Sequence, residues 1–148
     1  MNLYKNISKW LSENYTPITN WLYFNATPMI DGTVAMNSVP GDRTIKQFVD
    51  GSKQKEIVFA IDMIYNYDGQ GTSDINMNAL NEVNHFAEWI DGLKQTDYPD
   101  FGMYNEIIKI NVLTNIPSLL VNTDQQLGKY QFQVKIIYKD ESEVIKWS

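Results

Sequence analysis

The sequence predicts an α+β fold in which a mainly antiparallel sheet carries an N-terminal helix and one long helix on one face. Two segments alternate apolar with polar residues at the period of a β-strand, and another places apolar residues at three- and four-residue steps. The elements lack the regular strand–helix–strand order of a parallel fold. A chain of 148 residues is long enough for one core, so we predict a single domain over residues 1–148.

The two alternating segments predict the long strands of the sheet. In the first, one face carries Ile57, Phe59, Ile61, Met63 and Tyr65, and the other carries Val58, Ala60, Asp62 and Ile64. In the second, from 129 to 139, the residues expected to face inward are Tyr130, Phe132, Val134, Ile136 and Tyr138. Shorter strands are expected at 107–113 and 119–121, an edge strand at 21–25 and a return strand at 33–39.

Two amphipathic helices are expected to cover this sheet. The first spans residues 2–14 and stops at Thr16-Pro17, because the residue before a proline disfavours helical geometry. The second follows a glycine-rich turn, with Thr72, Ser73 or Asp74 as its cap. Its apolar stripe consists of Ala79, Leu80, Val83, Phe86, Ala87, Ile90 and Leu93. The polar stretch 40–55 is predicted as an extended loop around a short segment near 44–49, with a turn at Asp50-Gly51-Ser52.

Composition disfavours several classes of function. The net charge is −6, and the densest group of basic residues is Lys53-Gln54-Lys55, so we expect no specific binding to nucleic acid or to an anionic membrane. The chain has no cysteine, which excludes disulfides, thiolate zinc sites and a cysteine nucleophile. Without a signal-like run or an apolar stretch of about 20 residues, the protein is expected to be made and to stay in a cytosol.

No motif predicts a catalytic site. His85 is the only histidine and falls inside the long helix beside Phe86, where a structural position is far commoner than a catalytic one. Gly69 and Gly71 stand where a dinucleotide-binding loop would lie, but Asp74 occupies the third glycine position of that pattern.

Carboxylates offer no better candidate for a site. Glu82, Glu88 and Asp91 are explained by a solvated helix surface, and Asp68 with Asp74 lacks the EF-hand pattern. We therefore expect no enzyme, no cofactor and no metal.

Three segments, in this order, resemble a known family. The first is residues 50–55, DGSKQK, followed by VFAI at 58–61. The second is FAEWI at 86–90 in the long helix, followed by DYP at 97–99, and the third is GKYQFQVKIIY at 128–138. Together, over roughly residues 45–140, they resemble the minor capsid or tail-terminator proteins of long-tailed phages that infect low-GC Gram-positive bacteria.

This resemblance implies a structural subunit with no catalytic residue. Family members assemble into a ring, commonly hexameric, which caps the tail tube and offers the surface on which the DNA-filled head docks. The implied partners are further copies of the chain, the major tail protein and a head-completion or connector protein. The implied location is the head–tail joint of the virion, reached from the host cytoplasm. The residues expected at a subunit or tail-tube contact are Asp50, Gly51, Ser52, Lys53 and Trp89.

Two other functions stay open at this point. One is a small-molecule-binding or enzymatic domain with an apolar pocket lined by Tyr65, Tyr130 and Tyr138 and carrying a carboxylate such as Asp62. The other is a regulatory interaction module, which would remain monomeric or dimeric.

Overall fold

The computed structural model describes residues 3–15, 22–39, 43–113 and 118–144. The helices of this part are α1 (Leu3–Asn14) and α2 (Ile75–Asp91), with a 3-10 turn at Gln95–Asp97. The strands are β1 (Leu22–Phe24), β2 (Val34–Ser38), β3 (Arg43–Gln47), β4 (Lys53–Asn66), β5 (Asn105–Val112), β6 (Ser118–Asn122) and β7 (Leu127–Asp140).

The sheet is built around the antiparallel pair of β4 and β7. All 14 residues of each strand are paired, from Lys53 opposite Asp140 to Asn66 opposite Leu127. On the outer side of β4, β3 pairs with its first part and β2 with its second part. On the outer side of β7, β6 pairs with its first part and β5 with its second part. β1 extends the sheet beside β2.

Both helices pack on one face of this sheet, as the apolar periodicity predicts. The ring of Phe86 on α2 stacks on Tyr15, with centroids 3.9 Å apart, and meets Phe132 of β7 edge-on at 5.8 Å. Ile7 and Leu11 of α1 are fully buried in the same core. Phe86 therefore joins the segment after α1, helix α2 and the sheet in one cluster.

The predicted fold class is confirmed, with three local corrections. β2 runs parallel to β1, so residues 33–39 are not a return strand from residues 21–25. The segment predicted as an extended loop contains β3, which forms a β-hairpin with the start of β4. Leu80, predicted in the apolar stripe of α2, is 38% exposed because it lies at the flank of the buried stripe formed by Ala79, Val83, Phe86 and Ile90. The predicted helix stop at Thr16-Pro17 lies outside the described residues.

Replacing Phe86 with alanine is expected to destabilise the fold by about 3–5 kcal/mol, because the substitution leaves a cavity where three ring contacts meet. Leu80→Ala, at an exposed position on the flank of α2, is the matched control and should cost less than about 1 kcal/mol. Urea unfolding followed by circular dichroism measures both. Equal losses for the two variants would contradict the central place of Phe86.

Candidate functional site

The predicted contact residues Asp50 to Lys53 lie at and beside the turn between β3 and β4. We call residues 48–52 the hairpin tip. The backbone N–H of Phe48 donates to the carbonyl of Ser52 at 2.8 Å. The Oδ1 atom of Asp50 accepts the hydroxyl of Ser52 at 2.6 Å and its backbone N–H at 2.9 Å. These bonds from Ser52 lower the pKa of Asp50 below its ordinary value. The hairpin tip is therefore an internally bonded turn.

The C-terminal segment 141–144 holds the hairpin tip from the side. Nζ of Lys53 lies 2.8 Å from Oε2 of Glu143, and the hydrogen bond and charge of Glu143 raise the pKa of Lys53. Gly51 has a φ of +92°, and a Cβ atom at this position would run into the carbonyl oxygen of Glu143. The turn needs glycine for both its backbone conformation and this close approach.

Apolar side chains on this hairpin point to solvent. Val49 at the hairpin tip is fully exposed, and Ile45 of β3 is 45% exposed. The half-buried ring of Phe48 lies under two ammonium groups, those of Lys46 at 5.1 Å and Lys139 at 5.8 Å. The hairpin tip is thus an ordered turn with a fully exposed valine at its end.

Trp89 lies elsewhere, in an aromatic cluster between the two helices. Its ring is 5.5 Å from Trp10, 5.0 Å from Tyr15 and 6.2 Å from Phe86, centroid to centroid. The indole N–H of Trp10 donates to the carbonyl of Asp97 at 3.1 Å. Within the described residues no contact joins Trp89 to the hairpin tip. Packing of the helices accounts for this tryptophan, which is half-buried rather than fully presented to solvent.

A buried carboxylate lies on the sheet face opposite the helices, which we call the helix-free face. Asp62 of β4 is 1% exposed. Its Oδ2 atom accepts the hydroxyl of Thr27 at 2.8 Å and Nδ2 of Asn37 at 2.6 Å, and its Oδ1 atom accepts Nε2 of Gln131 at 2.7 Å. Nζ of Lys129 is 3.7 Å away. Three separate segments of the chain, the loop at Thr27, β2 and β7, thus converge on the carboxylate of Asp62.

Several lysines project from this helix-free face, and three of them lie near carboxylates: Lys129 near Asp62, Lys135 near Glu56 and Lys139 near Glu141. From the strand register, the lysines on it are Lys46, Lys109, Lys129, Lys135 and Lys139. Helix α2 on the other side contains three acidic residues and no lysine or arginine. The helix-free face also carries Glu56, Asp62 and Glu106, so its lysines are interspersed with carboxylates.

The residues weighed as enzymatic candidates have structural partners. Nδ1 of His85 lies 3.1 Å from the hydroxyl of Tyr15, whose pKa burial raises to about 12. Asp68 accepts the hydroxyl of Ser73 at 2.8 Å and three backbone N–H groups of the glycine-rich loop, and these bonds lower its pKa to about 2. Asp68 therefore closes that loop. In the described ranges, no group of three or more His, Asp or Glu residues could hold a metal ion.

The tyrosine-lined pocket considered from the sequence is not assembled. Tyr130 and Tyr138 are buried on the helix side of β7, and Tyr138 meets Phe101 edge-on at 5.5 Å. Tyr65 meets Tyr130 at 6.3 Å on the same side. Asp62 projects from the helix-free face because alternate residues of a strand point to opposite faces. The carboxylate and the three tyrosines therefore cannot line one pocket.

Comparison of the sequence with models of known protein families and with curated proteins found no match.

Among the described residues, no helix has the length and apolar character needed to cross a lipid bilayer.

Alanine at Gly51 is expected to destabilise the protein more than alanine at Gly32. Both glycines have positive φ, +92° and +89°, so each substitution costs about 1–3 kcal/mol in backbone strain. Only Gly51 adds a collision with Glu143, since a Cβ atom at Gly32 meets nothing within 4 Å. Urea unfolding compares the two variants. Equal losses would show that the C-terminal segment moves aside freely.

Asp62→Ala is expected to lower the free energy of unfolding by about 3 kcal/mol, because it removes a buried carboxylate that accepts three side-chain hydrogen bonds, from Thr27, Asn37 and Gln131. Lys129→Met should cost about 1 kcal/mol or less, since Asp62 keeps three hydrogen bonds and the lysine is partly exposed. Chemical denaturation with both variants tests this ranking. A loss for Asp62→Ala no larger than that for Lys129→Met would contradict it.

Proposed function

We propose that this protein is a structural subunit of the head–tail joint of a long-tailed phage, and that its copies form a ring capping the tail tube. The proposal is supported by the resemblance of three segments to minor capsid or tail-terminator proteins. In the fold these segments correspond to the hairpin tip with the start of β4, the second half of α2, and β7. A ring of this kind contacts the major tail protein on one side and a head-completion or connector protein on the other.

The observation that carries the proposal is the construction of the hairpin tip. Asp50 and Ser52 order the turn, and Lys53 ties it to Glu143. Val49 is nevertheless fully exposed at its end. The chain thus stabilises a turn whose apolar side chain contributes nothing to its own core. Docking a turn that is already ordered loses little conformational entropy, which favours a contact with another subunit or with the tail tube.

The edges of the sheet also suit a ring. The outermost strands on its two sides differ from each other, so copies can associate head to tail through two unlike surfaces. Heterologous contacts of this type close into a ring when the rotation between neighbours divides a full turn. The alternative of a small-molecule-binding domain has less support, because Asp62 and the three tyrosines lie on opposite faces of the sheet.

The test measures the mass of the purified protein by light scattering over a concentration series, alone and with tail tubes of the matching major tail protein. We expect a ring-sized species, formed alone or on the tubes. A strict monomer that ignores tail tubes would exclude the proposal.

Val49→Asp tests the hairpin tip within the same assay. The substitution removes no packing from the core, so folding stability should stay within about 0.5 kcal/mol, while tube binding or ring formation falls at least tenfold. Met77→Asp, at an exposed position of α2, is the matched control and should assemble normally. Normal assembly of Val49→Asp would show that the hairpin tip is not part of the contact.

A further inference from the structure

We propose that neighbouring copies of this chain meet edge to edge, with β3 of one copy against β5 of the next. In this contact Ile45 packs on Ile108, and Lys46 faces Glu106. The inference rests on the proposed ring and identifies which surfaces of the subunit form it.

Both strands have a free edge among the described residues. β3 pairs only with β4, and β5 pairs only with β7, so they are the outer strands of the half-sheet β3-β4-β7-β5. Free edges expose unpaired backbone groups, which makes them the natural place for a second chain to add.

The direction of the strands permits this repetition. Every neighbouring pair in the half-sheet is antiparallel, and the number of strands is even, so β3 and β5 run in opposite directions. A second copy can be placed beside the first by a rotation about an axis close to the strand direction. In that arrangement β5 of the second copy lies antiparallel to β3 of the first. The sheet then continues from subunit to subunit without a break in its alternation, through a heterologous contact.

The two edges also match in charge and in level, by which we mean the position along the strand direction. In the strand register, Lys46 aligns with Gln54, then Lys139, then Glu106. Lys46 and Glu106 are therefore at the same level on opposite edges, both are exposed, and both belong to the helix-free face. In a head-to-tail array an ammonium group of one copy comes beside a carboxylate of the next, which favours this pairing over others.

Each edge carries a bulge, and the two bulges lie on either side of one level in the sheet, that of the pair Lys55–Tyr138. The register shifts between Thr44 and Lys46 on β3 and between Ile107 and Lys109 on β5. The extra residues are Ile45 and Ile108, 45% and 48% exposed. A bulge interrupts the backbone ladder and discourages indiscriminate strand addition, so the side chains act as the recognition elements.

Further exposed apolar residues lie next to this contact. Asn105 at the start of β5 is at the level of Gln47, the last residue of β3. Beyond these residues lie Val49 on one edge and Met103 with Tyr104 on the other, all exposed. The apolar surface on both edges is thus at the same end of the sheet. Contact with a second copy accounts for four properties of the two edges: the strand directions, the matching positions along the strands, the opposite charges and the exposed apolar residues.

Charge reversal tests the contact in the assembly assay. Lys46→Glu and Glu106→Lys should each raise the concentration needed for half-assembly at least tenfold, because like charges then meet. The double variant Lys46→Glu/Glu106→Lys restores the pair and should return to within about threefold of the wild-type value. The controls Lys9→Glu on α1 and Glu88→Lys on α2 make the same charge changes at other exposed positions and should assemble like wild type.

The outcomes separate this inference from the proposed function. If wild type assembles and the single variants behave like the controls, the edge contact is overturned and the ring is not. The same conclusion follows if the double variant assembles no better than the single variants. Absence of assembly by wild type, alone and with tail tubes, overturns both. If a charge reversal lowers folding stability, Ile45→Thr provides a second test, since it alters an exposed residue and should also weaken assembly. Normal assembly of a folded Ile45→Thr would count against the contact.

Discussion

The pairing of β4 with β7 is the constraint on which the rest of the structure depends. Because each strand has 14 paired residues, each can hold two shorter strands end to end along its outer side. The same pairing aligns two apolar rows on one face, against which α1 and α2 bury their own apolar residues. The positions of the hairpin tip, the free edges and the helix-free face all follow from this one ladder.

Most of this framework could be predicted from the sequence, because the strands and helices have a regular spacing of apolar residues. The alternation from Ile57 to Tyr65 correctly assigned both faces of β4, and the five inward residues of β7 from Tyr130 to Tyr138 are all buried. Helix α1 ends where expected, and α2 begins after one of the three proposed caps, Asp74. Amphipathic patterns are reliable here because burial on one side repeats every two or every 3.6 residues.

The features that periodicity missed involve partners distant in sequence. An alternating pattern does not encode the direction of pairing, so the parallel arrangement of β1 and β2 was not predictable from it. The short strand β3 lacks a buried face and looks like polar loop in the sequence. The contacts of Trp89 with Trp10 and of Gly51 with Glu143 join elements that no local rule connects. The candidate contact residues were therefore predicted as a turn, whereas their attachment to the C-terminal segment was not.

The carboxylate of Asp62 also acts as a check on correct alignment during folding. If β7 slid past β4 by one residue, Gln131 would move to the helix side and an aromatic ring would face Asp62. A slip of two residues would keep the faces but replace Gln131 by a different partner. After the one-residue slip, Oδ1 of the buried Asp62 would lose the hydrogen bond from Gln131, at a cost of about 1–3 kcal/mol. After the two-residue slip, Lys129 or Gln133 would face Asp62 instead and could still donate to it. Asp62, whose neighbours Ala60 and Ile64 on the same face of β4 are apolar, thus discriminates against a one-residue shift of the register, and the accuracy of that register determines whether any two copies present the same edges.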